Sequence, residues 1–318
     1  MVTPMSRETV LWLAGGIVVL LLCPVFLPRF YVYLVSLILL YGLLATSLNL
    51  VLGYGGIFQF HHAVFYGIGA YGTTLVLTKT GLPPLFAFIA GPLISAAFGL
   101  VLGVICIRLS KLYFGMLQIS LGSLVWAIVY RWYSFTGGDD GIHGIPLPEL
   151  LSSPKSAYYF TLMITLVSLF VLWRIIRSPF GSVLQGIRDN SVRSEMIGIN
   201  VRRHQLLALV LAGFFAGIAG TLFVVVDNTV FPDMLFWTLS LEIVIMCLLG
   251  GWFTFLGPML GAAVIVALRT FVSTYTDYWA LVLGVVMMLV IFFLPNGILG
   301  YVEEKLKKGL IEPEIKEQ

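Results

Sequence analysis

Long apolar runs, separated by short polar or glycine-rich stretches, fill almost the whole chain. Ten of them read as candidate helical spans: 8–27, 31–52, 61–78, 84–107, 112–131, 157–175, 205–226, 236–250, 257–275 and 278–294. Runs of around 20 residues favour helices over barrel strands, which alternate over about ten. Pro28, Pro83-Pro84, Pro179 and Pro295 punctuate the ends of runs, as expected of a residue without an amide donor. The runs 61–78 and 236–250 are short or glycine-interrupted and are the least regular of the ten.

Two polar interruptions differ from simple connectors. Segment 132–156 is turn-rich and acidic, and reads as the largest external loop, long enough to cover a pathway entrance. Segment 177–204 carries Arg177, Arg188, Arg193, Arg202 and Arg203 against only Asp189 and Glu195. Within it Val183, Leu184 and Ile187, then Val192, Met196 and Ile199, recur at helical spacing. That predicts one or two short amphipathic helices along the inner face, with Asn190-Ser191 as a cap between them. A surface helix attracted to anionic lipid fits, and so does a docking helix for a cytosolic protein. The length and mixed charge of the segment favour docking.

Composition fixes the class. Of 318 residues 59% are hydrophobic and 10% charged, with a mean hydropathy of +1.02, whereas soluble domains carry about 25% charged residues. The chain is expected to be an all-α integral membrane protein, a polytopic bundle of about ten spans. With the N-terminus inside, thirteen of the eighteen Lys and Arg residues fall on the inner side, including the loop arginines and Lys305, Lys307, Lys308 and Lys316. This bias places both termini, and the tail 296–318, in the cytoplasm. No loop reaches the ~50 residues a folded domain needs, so 1–318 reads as a single transmembrane domain. The net charge of +3 is spread by topology; the lipid bilayer is a partner and nucleic acid is not.

Cys23, Cys106 and Cys247 all lie in apolar runs, an odd number without metal spacing, and read as packing residues. Leu22 before Cys23 is not the small residue of a lipoprotein cleavage site, so 8–27 reads as a retained first span.

Candidate chemistry is sparse. Gly53, Gly55, Gly56, Gly67 and Gly69 interrupt one apolar level. They read either as a broken pathway segment with freed backbone groups, or as an inner turn followed by a glycine packing face. His61 and His62 point about 100° apart on a helix and so serve packing or hydrogen bonding rather than a metal. Gly250-Gly251, then Gly257 and Gly261 followed by Ala262, form a second glycine-broken turn with a small-residue helix face. Glu242 and Arg269 are ionisable residues inside predicted spans. Such charges face protein or water and are functional candidates, although a structural ion pair between them is the plainer reading. No G-x-x-x-x-G-K-[ST], G-x-S-x-G or H-E-x-x-H occurs. An enzyme is thereby disfavoured, and transport driven from outside the chain is favoured. No catalytic residue, metal or cofactor is assigned.

Four blocks carry a family resemblance. Asn49, Gly53, Gly56, His62, Phe65, Gly67, Gly69, Ala70 and Tyr71 fit N-x-x-x-G-x-x-G-x-x-x-x-x-H-x-x-F-x-G-x-G-A-Y. Thr136 to Pro146 follow T-G-G-x-x-G-x-x-G-I-P. Ile187-Arg188-Asp189-Asn190 with Glu195 to Asn200 match I-R-D-N…E-x-x-G-I-N, and Gly250-Gly251 with Leu256 to Ala262 match G-G…L-G-P-x-x-G-A. In these blocks the chain resembles the inner-membrane permease subunits of branched-chain amino-acid ABC importers, of the LivM type. It departs at Ile57, Gln59 and His61, where Gln, Ser and Gly are usual, and this leaves the solute open among amino acids, urea and short amides.

The resemblance implies an ABC importer permease fold in a bacterial or archaeal plasma (inner) membrane, forming half of a passive pathway. Its implied partners are a second homologous permease, two cytosolic ATPases that use ATP and Mg, and an external solute-binding protein. It makes 177–204 the ATPase-coupling loop, with Arg188, Asp189, Asn190, Glu195, Gly198 and Asn200 in it and Arg188, Glu195 and Gly198 as docking determinants. Asn49, Gly53, Gly56, Gln59, His62, Gly67, Gly69, Tyr71, Glu242, Gly250, Gly251, Gly257 and Gly261 become candidates for pathway or packing roles. A stand-alone secondary carrier is the competing class; it needs more intramembrane carboxylates or histidines than the chain offers.

Overall fold

A computed structural model describes residues 7–109, 111–276, 278–293 and 297–301. Each of the ten apolar runs contains a helix. These are α1 (Arg7–Phe26), α2 (Arg29–Asn49), α3 (His62–Lys79), α4 (Pro84–Cys106), α5 (Lys111–Arg131), α7 (Pro154–Ile176), α10 (Val201–Asp227), α11 (Trp237–Gly250), α12 (Gly257–Val272) and α13 (Trp279–Phe293). Three shorter helices lie between them: α6 (Tyr133–Thr136), α8 (Pro179–Asp189) and α9 (Ser191–Met196). Five helices are long and apolar enough to cross a membrane by length and composition: Arg29–Tyr54, Pro84–Cys106, Tyr113–Arg131, Pro154–Ile176 and Val201–Asp227. Pro295 and residues 302–318, most of the basic tail, lie outside the described residues.

Prolines start helices more than they end them. Pro84, Pro154, Pro179 and Pro258 sit in the first turns of α4, α7, α8 and α12, where the missing amide would have had no intrahelical acceptor. Pro179 therefore opens the first loop helix.

α3, α4 and α10 pack as one group and α2, α11 and α12 as another, joined where α2 meets α10. α2 and α10 are mostly buried, whereas α5 keeps most of its surface exposed. The first group closes through small residues and hydroxyls. Gly69 faces Gly217 backbone to backbone, Thr73 and Thr221 share a 2.8 Å hydrogen bond, and Ser95 Oγ lies 2.7 Å from the carbonyls of Phe65 and Gly213. A hydroxyl bonded to a carbonyl is the inexpensive way to bury polarity between membrane helices.

The architecture is not wholly helical. β1 (Ile142–His143) and β2 (Thr229–Val230) form a short antiparallel ladder, with Ile142 opposite Val230 and His143 opposite Thr229. It fastens the long loop 132–156 to the α10–α11 connector. Lys79 anchors the other side of that loop, donating to the carbonyls of Ser134 (3.0 Å) and Phe135 (2.9 Å). Tyr133 donates to Asp139 inside the loop, and this bond pushes the exposed phenol up to about 12.

Candidate functional site

The two glycine-broken turns, far apart in sequence, meet at one end of the bundle. α2 runs into a single π-helical stretch, Leu50–Tyr54, a feature common at functional sites. Irregular chain then continues from Gly55 to His61. Asn49 Nδ2 donates to the carbonyl of Thr254 at 3.1 Å. Gly53 approaches that Asn49 side chain and the Trp252 carbonyl so closely that a methyl group would overlap both. Phe58 and Trp252 stack at a tilt, with ring centroids 6.3 Å apart. Thr254 Oγ1 ties its own turn by donating to Gly251 O (2.8 Å) and accepting from Gly257 N (3.1 Å).

The basic loop fits onto this junction through one side chain. Arg188 Nη1 donates to Gly53 O at 2.9 Å, its guanidinium lies 5.1 Å from the centroid of the Phe253 ring, and Asp189 Oδ1 holds it at 3.0 Å. Gly56, with φ +67°, lies under the Arg188 stem. Only glycine meets both demands there, a left-handed backbone and no side chain. A groove of about 740 Å³ lies alongside, lined by Gly56, Phe60, Phe114, Arg188, Asn190 and Gln205.

The two loop helices differ in what they bury. Leu184 and Ile187 of α8 are buried, whereas Val192, Met196 and Ile197 of α9 and its end stand exposed. The spacing that placed Val192 and Met196 on one face thus does not place them against the protein. Asn190 caps α9 by accepting from Arg193 N (2.9 Å), and Asn200 caps α10 by accepting from Arg203 N (3.0 Å). Glu195 is exposed, and Gly198 sits in open space at φ +87°. Arg188, expected among the docking determinants, directs its guanidinium to the chain's own turns.

The remaining sequence candidates separate by position. Gly67 and Gly69 are helical and do not interrupt α3; Gly67 faces Leu235. Gly250 and Gly261 bring α11 and α12 together, Gly250 against the Gly257 carbonyl and Gly261 against that of Met246. His62 Nε2 bonds Ser47 Oγ at 2.9 Å. Gln59 is fully buried, and neither of its amide atoms, nor the Tyr71 hydroxyl, has a hydrogen-bond partner among the described residues.

A second cavity, of about 710 Å³, opens between α2, α10, α11 and α12 at the opposite end of the bundle from α8 and α9. Glu242 and Arg269 both line it, with Nη1 and Oε1 3.8 Å apart; Glu242 is largely buried and Arg269 half-exposed. Asp227, at the end of α10, also lines the cavity and accepts from Tyr33 Oη (2.8 Å) and Thr229 Oγ1 (2.7 Å). Sequence reasoning singled out Glu242 and Arg269 but missed Tyr33 inside a run, Asp227 just past one, and Trp252, Phe253 and Thr254 between two, because no local spacing marks a residue whose partners lie far away in sequence.

The family described as branched-chain amino acid transport system, permease component, matches residues 30–291. The high-affinity branched-chain amino acid transport system permease protein LivM of Escherichia coli K12 is 28% identical, covering 93% of this chain and 76% of the relative. The LivH permease protein of the same strain is 24% identical, covering 82% of this chain and 91% of the relative. A tyrosine transport system permease protein of Clostridioides difficile is 25% identical, covering 80% and 86%. No solved structure matches the chain. The family is one of transport subunits rather than enzymes, ATP hydrolysis in such systems residing in separate ATPase subunits. With a match over most of its length, the chain belongs to the branched-chain amino acid transport system permease family and is a multi-pass inner-membrane protein.

Proposed function

We propose that the chain forms half of the translocation pathway of an ATP-driven importer for branched-chain amino acids. A second homologous permease supplies the other half, two cytosolic ATPases supply ATP hydrolysis with Mg, and an external solute-binding protein delivers cargo. Ten membrane crossings with both termini inside put α8 and α9 in the cytoplasm and the Glu242–Arg269 cavity on the outer side.

One observation carries this reading. A short helix with exposed Val192, Met196 and Ile197 is joined, through Arg188, to both glycine-broken turns. A partner that grips α9 thereby moves α8, and Arg188 passes that displacement to the end of α2 and to the α11–α12 turn. Rigid-body transmission of this kind alternates access without any chemistry in the chain itself. The similarity to both LivM and LivH of one strain supports pairing of two unlike permeases.

The test is reconstitution in liposomes with and without the partners. The reading expects leucine uptake only with ATP, both permeases, the ATPases and the binding protein. Solute flux through this chain alone would instead establish a secondary carrier. ATP-driven uptake of urea but not leucine would establish an amide permease.

A further inference from the structure

The outer cavity contains a pair of charges that coupling to ATP does not use. Charge-assisted N–H···O bonds close to about 2.7–2.9 Å, and Glu242 and Arg269 stop at 3.8 Å. They attract one another across a gap at the wall of the cavity, where a ligand's charged groups have room to approach both. Asp227 is already occupied by Tyr33 and Thr229, Asp233 lines the same cavity, and Glu242 is the acid within ion-pair distance of Arg269. The walls around the pair include Tyr41, Phe223, Leu239 and Ile245. A volume of about 710 Å³ falls within the range of small-molecule sites, about 300–1,000 Å³.

An acid and a base this close select a ligand that carries both charges. A solute with one charge leaves one side chain uncompensated in a partly dry site, which is costly, and urea offers no charge to either. A zwitterion satisfies both and leaves the net charge unchanged.

We infer that Glu242 and Arg269 form an acceptor for the head group of an α-amino acid, Glu242 taking the ammonium and Arg269 the carboxylate. The aliphatic side chain lies against Tyr41, Phe223, Leu239 and Ile245. The inference rests on the amino-acid import reading and names the site and ligand chemistry that reading needs.

Binding of radiolabelled leucine to the detergent-purified assembly, without the binding protein, tests it. Competitors are 4-methylpentanoate, which lacks the ammonium, and 3-methylbutylamine, which lacks the carboxylate. In the unaltered assembly each competes at least about tenfold more weakly than leucine, the scale of one hydrogen bond to a charged group. Glu242→Gln weakens leucine by a similar factor and abolishes the discrimination against 4-methylpentanoate. Arg269→Gln does the same for 3-methylbutylamine. The exchanged pair, Glu242→Arg with Arg269→Glu, does not recover leucine binding.

Full leucine binding in both single variants overturns the site, and so does recovery in the exchanged pair, which marks a structural ion pair. Uptake by the unaltered transporter is measured in parallel. If it carries tyrosine instead of leucine and loses it in Glu242→Gln, the site stands and the branched-chain assignment falls. If it carries no α-amino acid, both fall.

Discussion

The guanidinium of Arg188 donates to the main-chain carbonyl of Gly53 at 2.9 Å, across 135 residues of sequence. The same group faces the Phe253 ring and is held by Asp189. Arg188→Ala removes the link between α8 and both turns while leaving the buried Leu184 and Ile187 in place. A hydrogen bond to a charged group contributes about 1.5–3 kcal/mol. The expected result is a tenfold or greater loss of leucine uptake in proteoliposomes, with the ATPases still co-purifying. Arg188→Lys rescues poorly, because a point charge cannot serve a carbonyl, a carboxylate and a ring together.

The exposed end of α9 supplies a separate test. Met196 is 82% and Ile197 72% exposed, so Met196→Asp with Ile197→Asp removes little packing within the chain. Loss of ATPase co-purification is expected, with an unchanged melting midpoint for the permease. Glu195→Arg acts in the same direction. Retention of the ATPases by both variants would place the docking surface elsewhere.

The contact between α11 and α12 is backbone on backbone, so Gly261→Leu has no soft neighbour to displace. Overpacking costs about 1–3 kcal/mol where side chains can yield, and here a main-chain carbonyl of Met246 stands in the way. A marked loss of monodisperse protein on gel filtration is expected. Gly284→Ala is the control: among the described residues nothing lies within 4 Å of the added methyl, and a helix-interior glycine gains about 0.5–1 kcal/mol on becoming alanine.

Asn49→Ala separates the two turns without adding bulk. It removes the donor to Thr254 and leaves a buried carbonyl unpaired at a cost of about 1–3 kcal/mol. The expected signature is faster amide exchange at 251–257, measured by mass spectrometry, while α4 and α7 exchange as before.

The helices were legible because each is a long apolar run, and Asn190 was readable as a cap from its place before Ser191. Periodicity could place Val192 and Met196 on one face, but it carries no information about what covers that face. Leu184 and Ile187 show the same spacing and are buried. The link from Asn49 to Thr254 spans 205 residues, and no local pattern records a side chain meeting a distant carbonyl. β1 and β2 are two residues each, too short to leave an alternation. Glu242 and Arg269 were visible as charges out of place, but their meeting at one cavity emerges only in the folded chain.

The ladder between Ile142–His143 and Thr229–Val230 has a mechanical consequence. Thr229 also holds Asp227, so the outer loop and the rim of the zwitterion cavity share one splint. A protein that lands on residues 132–156 has a handle on the cavity mouth that bypasses the helices. On the importer reading proposed above, cargo handover at that face and the width of the entrance would be a single event.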